Sequence, residues 1–335
     1  MDVQLSQEQR ELQRMVRDLG ADRASSAHRR AVIDGGADHD PQLWALVAQE
    51  LGLPAIAVSE DYDGTGGSFN DVAVVLEEAG RALLPVPLLP TVTAAAAAPD
   101  DEALGRAVAR GAVATLAIGD PAATLRHVID GRLADHVVVA AADGLYVGVP
   151  AQRTARAGMD QLRWQADLGL GSSSLRKVGD ERASARAVDV LRVALSVEAI
   201  GIARWCLEAT VDHLKTRVQF GKPIGTFQAL QHRAADLAVM LESAAATASY
   251  AAWAVADSPA EVPVAAPLAL AVCSDAAYRV AADTIQMHGG IGFTWEHDAH
   301  LYFKRATTTR LLLGDNHLQR RLAAERAGVL GARRG

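Results

Sequence analysis

The chain has 335 residues, a length suited to about two or three domains with sizeable cores. Half of the residues are hydrophobic but only 4% are aromatic, and the apolar content is mostly Ala, Val and Leu, which favours helix over sheet. The net charge of -7 argues against a nucleic-acid or anionic-membrane partner, because such partners need a basic surface.

The cysteines and the first residues bear on the compartment. Cys206 and Cys273 are too few for a disulfide framework and have no metal-ligand spacing. The opening stretch MDVQLSQEQRELQRM is polar and charged, and no apolar run approaches the roughly 18 residues of a membrane-spanning helix. We therefore expect a cytoplasmic protein that is neither exported nor embedded in a membrane.

The first part of the chain is predicted to be helical. From Leu5 to about Asp34, apolar residues recur at spacings of three and four, and Ser6 is a suitable cap, so this segment is predicted to be one amphipathic helix. Asp40-Pro41 opens a second helix, because proline is favoured at the first helical position. A glycine-containing loop precedes a third helix over residues 71–84.

The pattern changes in the middle of the chain. Segments such as HVVVAAA and GLYVGVP are short, rich in β-branched or alternating residues, and separated by Gly, Asp and Pro, which is typical of strands. Helical periodicity returns from Ala183, and further helices are predicted from Leu230, from about Val262 and from about Asp298. The predicted buried positions of the first of these helices are Val193, Val197, Ile200, Leu207, Val211 and Leu214.

These patterns predict a mainly α protein with a small β domain. We expect an N-terminal helical domain over 1–112, a reduced β domain over 113–182, and a C-terminal four-helix bundle over 183–335.

One motif is the stretch RVQFGKPIGTFQALQHRAADL, residues 217–237. It places Arg217 and Lys222 beside a Gly-Lys-Pro-Ile-Gly turn between two helical segments. The planar guanidinium suits phosphate oxygens, and Gly221 and Gly225 allow close approach of the backbone to a ligand. On spacing alone, an ordinary helical hairpin that carries a solvated basic residue is the favoured interpretation.

A second motif is the stretch QMHGGIGFTWEHDAHLYFKRA, residues 286–306, in which a side-chain amide precedes three closely spaced glycines. Paired glycines can form a pyrophosphate cradle. In this order and at this separation, the two motifs resemble the carboxy-terminal domain of the acyl-CoA dehydrogenase family. The EEAGRAL sequence, residues 77–83, likewise resembles the end of a helix in the amino-terminal domain of that family.

The resemblance implies FAD as the cofactor and a role for the C-terminal domain in binding it. In this family that domain reaches the flavin of a neighbouring subunit and contacts its pyrophosphate and adenosine portion. We call the matching residues the cofactor clamp. They are Arg217, Phe220, Phe227, Gln228, Gln286, Gly289 and Gly290.

The residues that the family uses for catalysis are absent. In the family, a flavin takes a hydride from the β carbon of an acyl-CoA thioester while a glutamate removes the α proton. Leu313 and Leu191 occupy the two positions at which family members carry that glutamate. The Thr-Glu-Pro-rich loop and the Gly-Ser-Asp element that hold the flavin ring are also absent, and residues 117–131, AIGDPAATLRHVIDG, stand in their place. We therefore expect no catalytic residue in this chain.

This combination resembles the smaller, base-lacking subunit of heteromeric α2β2 acyl-CoA dehydrogenases of the actinobacterial steroid type. The resemblance implies a second dehydrogenase-like subunit that supplies the glutamate and the flavin-ring pocket. It also implies a bulky acyl-CoA substrate, such as a steroid side-chain thioester, and an external electron-transfer acceptor.

Two alternatives remain open at this stage. One is a self-sufficient homotetramer in which Glu198 or Asp315 is the base, although a structural role for Glu198 and a helix-capping role for Asp315 are the simpler interpretations. The other is a catalytically inactive paralogue that binds an acyl chain or regulates a partner.

The histidines and the aromatic residues of the second motif give weaker signals. Phe293 and Trp295 are interpreted as core or interface residues that could also flank an adenine. Five histidines have spacings that match no metal site, so we expect no bound metal and solvated or interface positions for them. These are His232, His288, His297, His300 and His317.

Overall fold

The structure is a computed structural model that describes residues 5–171 and 175–330. It is mainly α-helical with a small β domain, as predicted. The helices are α1 (Gln7–Arg23), α2 (Ser26–Asp34), α3 (Pro41–Ala45), α4 (Phe69–Ala82), α5 (Leu88–Ala97), α6 (Glu102–Ala109), α7 (Glu181–Thr216), α8 (Gln228–Asp257), α9 (Val262–His288), α10 (Ala299–Thr309) and α11 (Asn316–Arg326). The strands are β1 (Ala114–Ile118), β2 (Leu125–Ile129), β3 (His136–Ala141), β4 (Gly144–Gly148), β5 (Pro150–Arg156), β6 (Gln165–Leu170), β7 (Arg176–Gly179), β8 (Val218–Gln219) and β9 (Lys222–Pro223).

The predicted single helix from Leu5 to Asp34 is two helices. Ser6 caps α1 as predicted, since its hydroxyl accepts the backbone N–H of Gln9 at 3.1 Å. The chain leaves the helical conformation after Arg23, and the Ser25 hydroxyl accepts the N–H of His28 at 3.3 Å to cap α2. The three-and-four spacing of apolar residues continues across the break, so it does not reveal that the capping residue Ser25 starts a new helix.

The middle β domain consists of two small sheets. The first has the order β1-β3-β4-β7 and the second the order β2-β6-β5. β1 and β3 are parallel, and the other ladders of these two sheets are antiparallel. A small apolar cluster from both sheets fills the space between them, and it consists of Ala117, Leu125, Val128, Val137, Val139, Ala166 and Leu168.

The C-terminal helices form a bundle in which α9 packs against α7, α8, α10 and α11. Of the predicted buried positions on α7, four are buried and two are partly buried. The buried ones are Val193, Val197, Ile200 and Leu214, and the partly buried ones are Leu207 and Val211.

The apolar character of α9 corrects one expectation from the sequence. Within the described residues, the segment Val262–Phe293 is long and apolar enough to meet the criteria for a membrane span, although no such run was expected. The helix is, however, surrounded by other helices, and 67% of its most apolar window is buried. Its apolar residues therefore form the core of the bundle.

The N-terminal and C-terminal helical domains meet at two glycines. A Cβ atom at Gly201 on α7 would overlap the backbone carbonyl oxygen of Glu77 on α4. A Cβ atom at Gly80 on α4 would likewise overlap the carbonyl oxygen of Glu198 on α7. The two helix backbones are therefore in direct contact, which only glycine permits at both positions.

Candidate functional site

The two sequence motifs meet at one surface groove. Arg217 lies immediately after the last turn of α7, and Gly290 lies in the 3-10 turn Gly289–Phe293 that follows α9. Both line a groove of about 590 Å³, which we call the Arg217 groove. The packing of α7 on α9 therefore brings together two parts of the cofactor clamp that are far apart in the sequence.

A tight hairpin directs the chain away from the end of α7. Phe220 and Gly221 both have positive φ values, 54° and 78°, and connect β8 to β9 in a two-residue turn. The chain then returns to α7, where a Cβ atom at Gly225 would lie 2.8 Å from the carbonyl oxygen of Leu214. Glycine at this position lets the hairpin lie against the helix end beside Arg217.

The groove offers an unpaired cation and an uncovered backbone. Among the described residues, Arg217 has no ion-pair partner and its side chain makes no hydrogen bond. No atom lies within 4 Å of the position that a Cβ would take at Gly289 or Gly290. A free guanidinium beside open glycine backbone fits a phosphate-bearing ligand, because both can donate hydrogen bonds to phosphate oxygens.

The aromatic residues of the hairpin face away from the core. Phe220 is 90% exposed, and its ring meets that of Phe227 edge-to-face at 6.0 Å. The Nζ atom of Lys222 lies 4.4 Å from the centre of the Phe227 ring. Gln228 begins α8 and is exposed. These residues lie on the hairpin and the start of α8 and do not line the Arg217 groove.

The remaining members of the second motif are also exposed. Gln286 lies on the last turn of α9 and points away from the core. Phe293 and Trp295 are 86% and 46% exposed, so a core position is wrong for both. Ile291, at 47% exposure, adds to this apolar surface.

Three histidines stack along the Arg217 groove, and we call them the ring stack. The rings of His213 and His288 are 4.4 Å apart, and those of His288 and His297 are 4.3 Å apart. His288 is buried and His297 is partly buried, so neither is a solvated residue on a helix face. His213 was missed by the sequence reasoning, although it lies one helical turn before Arg217, as His288 lies directly before Gly289.

Two members of the ring stack, His213 and His297, have lowered pKa values. Burial lowers the pKa of His213, and the neighbouring imidazoles and Arg217 lower it further. Burial and the nearby His288 likewise lower the pKa of His297. Within residues 5–171 and 175–330, no group of His, Cys, Asp and Glu side chains could hold a metal ion, so the stack is not a metal site.

Glu198, one of the two alternative bases, is a buried ion-pair partner. Both of its carboxylate oxygens accept hydrogen bonds from Arg163, and Oε1 also accepts one from Nη1 of Arg305 at 3.1 Å. Arg305 in turn pairs with Asp160. The cavity that Glu198 lines has a volume of about 20 Å³, which is room for a water molecule and not for an acyl chain.

Asp315, the other alternative base, is a helix cap. Its Oδ1 atom accepts the backbone N–H of Leu318 at 2.8 Å, at the start of α11. Leu191 is buried and Leu313 is partly buried at the two positions that resemble the family's base positions. The structure therefore gives both candidate carboxylates structural partners.

The segment that replaces the flavin-ring loop lines a separate open groove. Asp120 and Pro121, after β1, border a space of about 740 Å³ together with Asp143 and Tyr146. The Tyr146 hydroxyl donates to Asp143 at 2.6 Å, and this hydrogen bond lowers the pKa of Asp143. The side chains here are acidic, whereas a flavin ring is held mainly by groups that donate hydrogen bonds, so this groove does not fit the ring.

Comparison with known proteins establishes the family. The family description "Acyl-CoA dehydrogenase, C-terminal domain" matches residues 181–328, and "Acyl-CoA dehydrogenase, N-terminal domain" matches residues 6–106. Acyl-CoA dehydrogenase IpdE2 of Mycobacterium tuberculosis is 39% identical over 326 residues, which cover 95% of this chain and 97% of the relative. The chain belongs to the acyl-CoA dehydrogenase family. IpdE2 of Mycolicibacterium smegmatis is 38% identical and covers 96% of this chain and 99% of the relative.

Solved structures show the same fold. A variant of the Tcur3481-Tcur3483 steroid ACAD superposes with a TM-score of 0.87 at 27% identity, over 96% of this chain and 98% of that chain. A chain of the ChsE4-ChsE5 complex from Mycobacterium tuberculosis superposes with a TM-score of 0.89 at 24% identity, over 99% of this chain and 100% of that chain. The expected enzyme class, acyl-CoA dehydrogenase, and the expected FAD cofactor are therefore confirmed.

Proposed function

We propose that this chain is the base-lacking subunit of a heteromeric acyl-CoA dehydrogenase and that it contributes FAD contacts to a site completed by its partner. One observation carries this proposal. The chain keeps an accessible, unpaired Arg217 beside open glycine backbone, while leucines replace the base at both family positions and Glu198 is enclosed by two arginines.

The residues of the cofactor clamp would contact different parts of FAD. The Arg217 guanidinium would bind pyrophosphate oxygens, and the Gly289-Gly290 backbone would lie against the same group. Phe220 and Phe227 would pack against the adenosine portion or against the partner surface around it. When FAD is bound, the chemistry it would supply is to accept a hydride from the substrate β carbon, while a glutamate of the partner would remove the α proton.

The exposed apolar residues around the clamp support a protein partner. Phe220 and Phe293 expose almost their whole side chains, and Ile291 and Trp295 about half. Large apolar side chains that share a surface with a ligand groove are typical of an interaction site. Two solved structures with this fold have descriptions that name two proteins each, Tcur3481-Tcur3483 and ChsE4-ChsE5.

We also propose a substrate class, an assembly and a compartment for this enzyme. One structural relative is described as a steroid ACAD, which supports a bulky acyl-CoA such as a steroid side-chain thioester. We propose that the heteromer is an α2β2 cytoplasmic enzyme that introduces an α,β double bond and passes its electrons to an external acceptor. We also propose domain boundaries after residues 112 and 182.

The experiment is a flavin count. The chain is purified alone and after co-expression with a candidate dehydrogenase-like partner chain, and the visible absorbance gives the FAD content. We expect a colourless lone chain and a yellow complex with about one FAD per pair of unlike chains. Arg217→Ala is expected to empty the complex of FAD without dissociating it, whereas Arg321→Ala, at a well-exposed arginine of α11, leaves the flavin in place.

Three results would contradict the proposal. A yellow lone chain with one FAD per subunit would indicate a self-sufficient enzyme. Full FAD occupancy in the Arg217→Ala complex would show that this arginine is not part of the clamp. A colourless chain that neither joins a partner nor changes its activity would instead indicate an inactive paralogue.

A further inference from the structure

The ring stack connects the two halves of the cofactor clamp. His213 and Arg217 are four residues apart at the end of α7, so they lie on the same side of the helix, and both line the groove. His288 ends α9 directly before Gly289. The contact between the rings of His213 and His288 is therefore the place where the arginine half of the clamp touches the glycine half.

Hydrogen bonds hold the middle and outer rings in defined orientations. The Nδ1 atom of His288 lies 2.7 Å from the carbonyl oxygen of Thr284, so this nitrogen carries the hydrogen and donates it. The hydroxyl of Thr284 in turn accepts a hydrogen bond from Thr210 of α7 at 3.0 Å. The Nδ1 atom of His297 accepts the backbone N–H of Ala299 at 3.2 Å. The ring stack is thus fixed to both helices and to the start of α10.

The free nitrogen atoms decide where a proton can be added. His288 keeps Nε2 available, because its Nδ1 already carries the donated hydrogen. No hydrogen bond holds the side chain of His213 among the described residues, and this ring lies nearest to Arg217 in the sequence. Protonation of His297 at Nδ1 would break its bond to Ala299. The ring of His213 can therefore take up a proton without losing a hydrogen bond within the described residues.

The charges around the stack are mixed. The cationic groups that face it are Arg217 at the end of α7 and Arg30 from α2, and the titratable His300 from α10, whose pKa is lowered by burial, also faces it. The acidic groups are Asp212, which lines the groove, and Asp298, which already pairs with Arg29 and Arg30. With the groove free of anions, Arg217 opposes protonation of His213. A polyanion bound to Arg217 offsets its positive charge, and the added negative charge favours the protonated imidazole of His213.

We propose that the ring stack of His213, His288 and His297 is a proton-linked positioning device that takes up a proton when a nucleoside diphosphate group binds in the Arg217 groove. This inference rests on the proposed function, since the diphosphate is that of the cofactor held by the clamp. Binding and protonation are reciprocal, so affinity rises as the pH falls. Without a bound ligand, the ring contacts and their hydrogen bonds hold the two halves of the clamp together.

The test uses ADP as the probe and the full chain. Isothermal titration calorimetry at pH 8, 7 and 6, in buffers with different ionisation enthalpies, gives the affinity and the number of protons taken up. We expect ADP to bind about fivefold more tightly at pH 6 than at pH 8, within the limit of about tenfold per pH unit for one proton. The expected uptake at pH 6 to 7 is a fraction of one proton per ADP.

Matched variants separate titration from packing. His213→Phe keeps a flat ring in the stack but cannot be protonated, so we expect a gain in ADP affinity between pH 8 and pH 6 that is much smaller than in the wild type. His317→Phe, on the exposed surface of α11, is the control and keeps the full pH dependence. A purely structural role would lower the affinity of His213→Phe equally at every pH, and that result overturns the inference.

Other outcomes distinguish the inference from the proposed function. If Arg217→Ala abolishes ADP binding but wild-type affinity is the same at pH 6 and pH 8, the clamp stands and the proton linkage is wrong. If ADP binds equally well to Arg217→Ala, the clamp assignment fails as well. If the folded chain binds no ADP at any pH, proton-linked capture by this chain is refuted, and the flavin count of the complex still decides the proposed function.

Discussion

Replacing Glu198 by glutamine tests whether this carboxylate holds the domains together. Glu198 lies on α7, and its two arginine partners come from the middle β domain and from α10. All three residues are less than one-tenth exposed. Removing one member of a buried ion pair costs about 3–5 kcal/mol, because the remaining charge is left without a partner. Glutamine keeps the shape and can still accept one hydrogen bond, so we expect a loss of about 2–4 kcal/mol.

The assay is urea unfolding of the lone chain, followed by far-ultraviolet circular dichroism at pH 8. We expect a clear decrease in the unfolding midpoint of Glu198→Gln. The matched control is Glu325→Gln at the end of α11, where an exposed ion pair to Arg321 spans 3.6 Å. Exposed pairs contribute about 0–1 kcal/mol, so the control stays close to the wild type.

The result that would refute this reasoning is a Glu198→Gln midpoint no lower than that of the control. If the same variant kept its stability while a dehydrogenase activity of the lone chain disappeared, Glu198 would be a catalytic base. That outcome would favour the self-sufficient enzyme.

Two further predictions concern the same helical interface and its charge cluster. Burial raises the pKa of Asp130 from 3.8 to about 7, so the folded chain loses stability as the pH rises from about 4 to 7, because the unfolded chain releases this proton first. Asp130→Asn cannot ionise, so we expect it to raise the unfolding midpoint, relative to the wild type, by more at pH 8 than at pH 5. An equal increase at both pH values would contradict the assignment. Gly201→Ala is expected to lower the melting temperature strongly because its methyl group would overlap the Glu77 carbonyl, whereas Gly158→Ala, where the nearest atom to the added methyl group is the Asp160 carbonyl oxygen at 3.9 Å, changes it little.

Much of the fold followed from local patterns. The 3.6-residue periodicity of α7 predicted its buried face, and the β-branched segments predicted the middle domain. Asp315 was correctly given a capping role, because an aspartate before a helical segment needs only local contacts to act as a cap. The meeting of Arg217 and Gly290 at one groove agrees with the family resemblance, in which both belong to one clamp.

The remaining features depend on contacts between distant parts of the chain. The ring stack joins His213 to His288 and His297, and no local pattern links residues on three different elements. The partners of Glu198, Arg163 and Arg305, come from a β-domain loop and a later helix. The exposure of Phe293 could not be predicted either, because an aromatic residue that follows a glycine-rich turn has the same sequence pattern in a core and at a surface.

The contact of α4 with α7 at Gly80 and Gly201 has a mechanical consequence. With no side chains between the two backbones, there is no layer that could shear or change rotamer, so the two helices move together. The boundaries at residues 112 and 182 divide the chain by composition, whereas this direct backbone contact leads us to expect that the first and last helical regions move as one. A hinge that admits a cofactor or a partner is therefore expected elsewhere, in the middle β domain or in the hairpin beside Arg217.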